Sequence, residues 1–257
     1  MERQFDEFLI SKAILDSYYR KFNDALLSDV TIVGAGPSGL FLAGLLARKG
    51  FRVVVIEAKL APGGGIWGGG MGMNEVVFQP EILPLLDIID VSRKTAGSLY
   101  TADACELAAQ LTVFALKSGA TIMNLITAED LVVLGDRVTG VVANRTGISG
   151  RYHVDPIMFT SKAVVDATGH DAVLVNFLNK HGYKIDTSTG SYLGEGAMDV
   201  VAGERFVVER AGEVFPGLYV MGMAVSATFN GPRMGPIFGG MLLSAQKVSN
   251  ILESSLR

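Results

Sequence analysis

Residues 29–58 read DVTIVGAGPSGLFLAGLLARKGFRVVVIEA. Residues 30–33 form a short β-branched run and predict a buried strand. Gly34, Gly36 and Gly39 follow at G-x-G-x-x-G spacing. The first glycine allows a tight turn out of the strand, the second lets a pyrophosphate approach the backbone, and the third lets a helix pack close to the sheet. Across residues 40–49, Leu40, Ala43, Leu46 and Ala47 share one helical face, and Gly50 stops the helix. Residues 52–56 predict a second strand, with Glu57 at its end. A carboxylate there can accept hydrogen bonds from both hydroxyls of an adenosine ribose. The glycine spacing alone is a weak signal. Strand, glycines, helix, strand and acid in this order predict a βαβ unit holding an ADP moiety; the alternative is a βαβ unit whose glycines serve packing only.

The chain has 257 residues, 31 of them glycine, and 49% are apolar, which suits one α/β domain with many tight loops rather than a disordered chain. The net charge of −4, with no long basic run, argues against nucleic acid as a partner. No apolar stretch reaches membrane-spanning length. The N-terminal MERQFDEF is charged and lacks a signal-peptide core, so a cytoplasmic protein is expected. Cys105 stands alone, which excludes an internal disulfide and a thiolate metal cluster; a small buried apolar residue is its simplest reading.

Residues 5–27 are amphipathic at helical period, with Phe8, Leu9, Ala13, Ile14 and Tyr18 on one face for the sheet or a neighbouring subunit. Residues 61–73 (APGGGIWGGGMGM) form a loop that either approaches something closely through its backbone or is mobile. Helices are expected over 79–90, 101–118, 172–181 and 235–251, and strands over 121–124, 130–134, 138–144, 162–167, 205–210 and 218–220. Residues 151–159 read as extended chain, and 187–196 as a polar loop. The expected fold is a single dinucleotide-binding, Rossmann-like domain of flavoprotein type, spanning 1–257. It has a parallel central sheet, an N-terminal helix and an inserted β-rich part of antiparallel strands at about 130–160.

Ala167-Thr168-Gly169 after a strand, and PGLYVMG at 216–222, strengthen the resemblance to flavoproteins with two dinucleotide-binding domains. In those proteins an Asp usually follows the last motif and serves the flavin. Here Met223 stands there, and no second G-x-G-x-x-G follows a strand and opens a helix for a nicotinamide cofactor. This departure asks for an adenine dinucleotide other than FAD. His153-Val154-Asp155-Pro156, Gly169-His170-Asp171 and NGPRMGP at 230–236 are further marks. Taken from the residues alone, His170 and Asp155 are one nitrogen and one oxygen ligand, suited to a divalent ion such as Fe(II) with positions open for substrate. His170 equally suits a helix-capping or core histidine. Arg233, in a loop between glycines, can hold a carboxylate bidentately or form a surface salt bridge.

Together with Gly63-Gly64-Gly65, the T-G-H-D and P-R-M-G-P-x-F-G stretches resemble the thiamine thiazole synthase family over nearly the whole chain. The resemblance implies an enzyme that forms the ADP-linked thiazole carboxylate of thiamine from NAD, glycine and a sulfur source, releasing nicotinamide. It implies that Ser38, Glu57, Ala58 and Gly65, with Gly34, Gly36 and Gly39, hold the adenosine and pyrophosphate of NAD. Ala128, His153, Val154 and Met223 fall at further nucleotide positions, and Arg233 on the glycine carboxylate. Asp155 and His170 would bind Fe(II), with His170 from a neighbouring subunit of a homo-octamer whose sites are shared. Fungal and plant members carry at position 153 a cysteine that gives up its own sulfur. His153 has none to give, so this chain resembles the sulfide-dependent form, with His153, Asp155 and His170 as catalytic residues. The rival readings are an FAD-dependent oxidoreductase, a ribose-phosphate isomerase and a non-catalytic ADP-ribose-binding protein.

Overall fold

The computed structural model describes residues 5–257; the first four residues of the charged N-terminal stretch lie outside the described residues. The chain begins with α1 (Glu7–Ala25), β1 (Leu27–Val33), α2 (Pro37–Arg48) and β2 (Val53–Glu57). After the glycine-rich loop come β3 (Glu75–Phe78), α3 (Leu83–Ile88), β4 (Lys94–Ala96), β5 (Leu99–Asp103), α4 (Ala104–Lys117) and β6 (Thr121–Asn124). β7 (Ile126–Leu134), β8 (Arg137–Arg145), β9 (Ile157–Asp166), α5 (Val173–Lys180) and α6 (Val200–Arg210) follow. β10 (Gly212–Phe215), β11 (Leu218–Val220), α7 (Met223–Phe229) and α8 (Gly239–Leu256) close the chain.

The main sheet runs β10-β11-β9-β1-β2-β6. All its pairings are parallel except β10 with β11. β8 pairs antiparallel with the first residues of β9, and β7 with β8, so the β-rich insertion grows from a central strand. The sequence reads residues 151–159 and 162–167 as two pieces, and β9 joins them into one strand whose two halves meet different surroundings. Residues 157–162 alternate between buried and exposed, as in an antiparallel sheet with one wet face, whereas residues 163–166 are buried throughout between β1 and β11. α2 packs between α4 and α8. Gly44 allows this approach, since a Cβ there would overlap the Phe114 ring, which stacks on Phe41 with centroids 5.6 Å apart.

Three expectations are corrected. Residues 205–210 are the end of helix α6, not a strand. The β-branched Val207-Val208 pair suggested a strand, but the Asp199 side chain caps the helix by accepting from Ala202 N, and Gly203 and Val207 bury one helical face. Residues 101–103 end β5 of a small antiparallel sheet, β3-β5-β4, and the helix begins only at Ala104, capped by Asp103. The last helix starts at Gly239, because Ile237 pairs with Val77.

α1 meets the sheet through its C-terminal turns, where Phe22 packs edge-on to Phe159 at 5.8 Å. Phe8, Ile14 and Leu15 lie 64–70% exposed, so within one chain most of the helix's apolar face is uncovered. Among the described residues no helix is long and apolar enough to cross a membrane.

Candidate active site

The first end of the site is built by the βα turn. Gly34 has φ +104°, and a Cβ there would overlap the carbonyl of Ala167. A Cβ on Gly39 would overlap the carbonyl of Gly34, so helix and turn meet backbone to backbone. A Cβ on Gly36 would meet no atom within 4 Å, because that position opens onto a cavity of about 800 Å³. Gly36 caps α2 without a side chain, and Pro37 occupies the first turn. The free backbone N–H groups of that turn and the helix dipole therefore present a positive end to an anion.

Glu57 is 6% exposed. Its Oε2 accepts from Ala35 N and its Oε1 from Lys59 N, both at 2.8 Å, which fixes the carboxylate across the turn. Each oxygen keeps a second acceptor position for a ligand hydroxyl. The glycine-rich loop folds against the same turn. Gly63 N donates to Ala35 O at 2.7 Å, and a Cβ on Gly64 would sit 3.1 Å from Gly36 Cα. Close backbone approach, the first of the two readings of this loop, is thus met by the chain's own glycine turn.

The opposite end is set by the end of β9. Asp166 is fully buried, and burial pushes its carboxyl above the usual carboxylate range, opposed by four hydrogen bonds. Its Oδ1 accepts from Thr168 N and Oγ1, and its Oδ2 from Leu174 N and Val175 N. One acid thereby fastens the strand end, the turn carrying His170 and the start of α5. His170 Nδ1 lies 2.6 Å from Glu195 Oε1, and Arg233 Nε lies 3.3 Å from Glu195 Oε2. Gly222 (φ +60°) passes against Ser38, bringing Met223 to the cavity wall.

The cavity is lined beside the βα turn by Gly34, Gly36, Ser38, Glu57, Ala58 and Gly65, with Ala128 on the neighbouring strand. His170, Met223 and Arg233 line the same space. Gly39 lies beneath the turn as packing. His153, Val154 and Asp155 are not brought there: they lie exposed on the loop between β8 and β9. Cys105 is exposed in the first turn of α4 instead of buried. Glu195 and Asp166 escaped the sequence reading. Glu195 sits in an aperiodic polar loop between Gly194 and Gly196; Asp166 ends the buried run AVVD, where a lone acid is itself the signal.

Among the described residues no three His, Cys, Asp or Glu side chains gather as a metal centre. The donor chemistry nevertheless fits half of one. His170 is 56% exposed, and a carboxylate engages one ring nitrogen, the arrangement that metal-binding histidines use to orient the other. Asp155, the expected oxygen ligand, is not among the residues that line the cavity with His170.

The sequence matches the model of the Thi4 family over residues 11–238. It is 48% identical over 250 residues to the thiamine thiazole synthase of Pyrococcus abyssi, covering 96% of this chain and 97% of that one. It is 45% identical over 256 residues to the thiamine thiazole synthase of Thermotoga maritima, covering 98% of both. The crystal structure of Thermovibrio ammonificans THI4 superposes with a TM-score of 0.96 at 43% identity, covering 98% of this chain and 99% of that one.

Proposed function

The chain belongs to the Thi4 family and is an enzyme of thiazole formation, and on that premise we propose that it joins NAD, glycine and free sulfide, with Fe(II), into the ADP-linked thiazole carboxylate of thiamine biosynthesis, releasing nicotinamide. The observation that carries this reading is one continuous cavity of about 800 Å³ reaching from the α2 N-terminus and Glu57 to His170 and Arg233. A dinucleotide laid along it has its ADP half at the anion-binding end and its reacting sugar at the polar end.

The first-turn N–H groups of α2 take the pyrophosphate, and Glu57 accepts from the adenosine ribose hydroxyls. Arg233 offers the end of its guanidinium to the carboxylate of glycine. The reaction then runs through loss of nicotinamide, opening and isomerisation of the sugar to a ketone, imine formation with glycine, sulfide addition, cyclisation and loss of water. Most of these steps move protons at sugar carbons, so holding the reactants in one geometry is much of the work. His153 lies on the same exposed loop as Asp155, so it too would reach the cavity from a neighbouring copy and exchange protons there. His170 from one copy and Asp155 from its neighbour hold Fe(II), which when bound supplies Lewis-acid polarisation of its ligands. The exposed loop carrying residues 153–155 and the uncovered apolar face of α1 support assembly of several copies, in our reading an octamer.

His153 has no sulfur to lose, so sulfide must be supplied. The test is an oxygen-free reaction with NAD, labelled glycine, Fe(II) and sulfide, followed by mass spectrometry of the nucleotide pool. Nicotinamide release with label in an ADP-linked thiazole supports the reading. Unchanged NAD with all components present contradicts it.

A further inference from the structure

Glu195 is the least exposed member of a three-residue cluster: its side chain is 15% exposed, against 56% for His170 and 49% for Arg233. Its two oxygens serve different partners, Oε1 at 2.6 Å from His170 Nδ1 and Oε2 at 3.3 Å from Arg233 Nε. The backbone around it is pinned. Leu193 N donates to Thr228 O at 3.3 Å, Gly196 N to Gly231 O at 2.9 Å, and Arg233 N to Ala197 O at 3.2 Å. Met198 and Arg233 add a short parallel bridge. The loop carrying the acid is thus tied to the segment carrying Arg233, and a half-buried carboxylate is held between two groups that line one cavity.

An exposed ion pair contributes little to stability and carries no functional implication. Here the arrangement determines what the partners can still do. Accepting Nδ1–H from His170 fixes the tautomer and leaves Nε2 with its lone pair free. Engaging Arg233 at Nε leaves the two terminal nitrogens, the pair that grips a carboxylate in parallel. We infer that Glu195 is a positioning residue that presents His170 Nε2 to the metal and the Arg233 fork to the substrate carboxylate. This rests on the metal and glycine roles given under Proposed function, and it couples those two subsites through one side chain.

Glu195→Gln is the test, made in the intact assembly. An amide keeps the shape but has one acceptor oxygen, so His170 and Arg233 cannot both be satisfied. Co(II), titrated without oxygen and followed by its visible absorption, probes the metal site independently of turnover. The expected result is Co(II) affinity lowered roughly ten- to a hundredfold, a raised KM for glycine, and unchanged ADP-ribose affinity. Glu195→Asp keeps two acceptor oxygens on a shorter stem and is expected to bind Co(II) more tightly than the amide variant. Equal weakness in the two would overturn the requirement for a carboxylate. His170→Ala separates the two levels of the argument. If it abolishes Co(II) binding while Glu195→Gln alters neither Co(II) affinity nor the KM for glycine, the assignment to Glu195 falls alone. If Co(II) binds normally to His170→Ala, the metal role of His170 falls, and the His170 half of this inference with it.

Discussion

Gly36 and Gly39 share one turn of helix, yet adding a methyl group to each should produce opposite defects. At Gly39 the new Cβ would lie far inside contact distance of the Gly34 carbonyl oxygen, a backbone atom that cannot rotate away. Overpacking typically costs about 1–3 kcal/mol, and a backbone obstacle belongs at the upper end. The better helix propensity of alanine offsets about 1 kcal/mol. The net loss is about 2 kcal/mol, which for a chain of this size lowers Tm by roughly 4–8 °C. At Gly36 the Cβ meets nothing within 4 Å, and φ of −76° suits alanine. The remaining cost is the weaker cap, about 1 kcal/mol or less. The methyl group would stand where a pyrophosphate must approach the N–H groups. Losing charge-assisted hydrogen bonds costs about 1.5–3 kcal/mol, roughly a ten- to hundredfold loss of affinity. Thermal unfolding and calorimetric titration with ADP-ribose read the two effects separately. Wild-type affinity in Gly36→Ala, with Gly39→Ala as stable as wild type, would refute the assignment of these glycines.

Glu57→Ala should weaken ADP-ribose binding by about 1.5–3 kcal/mol; unchanged affinity by calorimetry would remove Glu57 from the site. Asp155→Ala and His170→Ala should each abolish Fe(II)-dependent product formation while ADP-ribose still binds. Mixing and reassembling those two variants should restore part of the activity, because some interfaces then hold both ligands; no recovery would place the two roles within one copy. His153→Ala should lower kcat roughly a hundredfold without changing ADP-ribose affinity, and a retained kcat would take His153 out of proton transfer.

The βα turn and the acid that follows it were legible because their constraints are local. Gly34, Gly36, Gly39 and Glu57 fall within 24 consecutive residues, and each has a reason that follows from strand, turn and helix geometry. The far end of the cavity was legible only in part. His170 and Arg233 were singled out by the stretches around them, but the acid joining them lies 25 residues beyond His170 in a loop without periodicity. Only the backbone pairing of residues 193–199 with 228–233 brings Glu195 there. Helix α6 shows the converse failure. Its β-branched residues speak for a strand, and the cap at Asp199 and the packing of Gly203 and Val207 override them. Gly203 lies so close to Pro232 and Arg233 that a Cβ would come within 3.0 Å of them, a tertiary constraint that propensity does not record.

The central claim concerns the source of sulfur. The direct measurement is product formed per chain, without oxygen, at limiting and excess sulfide, with the intact mass of the protein taken before and after. Catalysis with His153 at the donor position predicts several products per chain, strict dependence on sulfide and an unchanged protein mass. Product formed without sulfide, capped at one per chain and matched by loss of sulfur from Cys105, would contradict it.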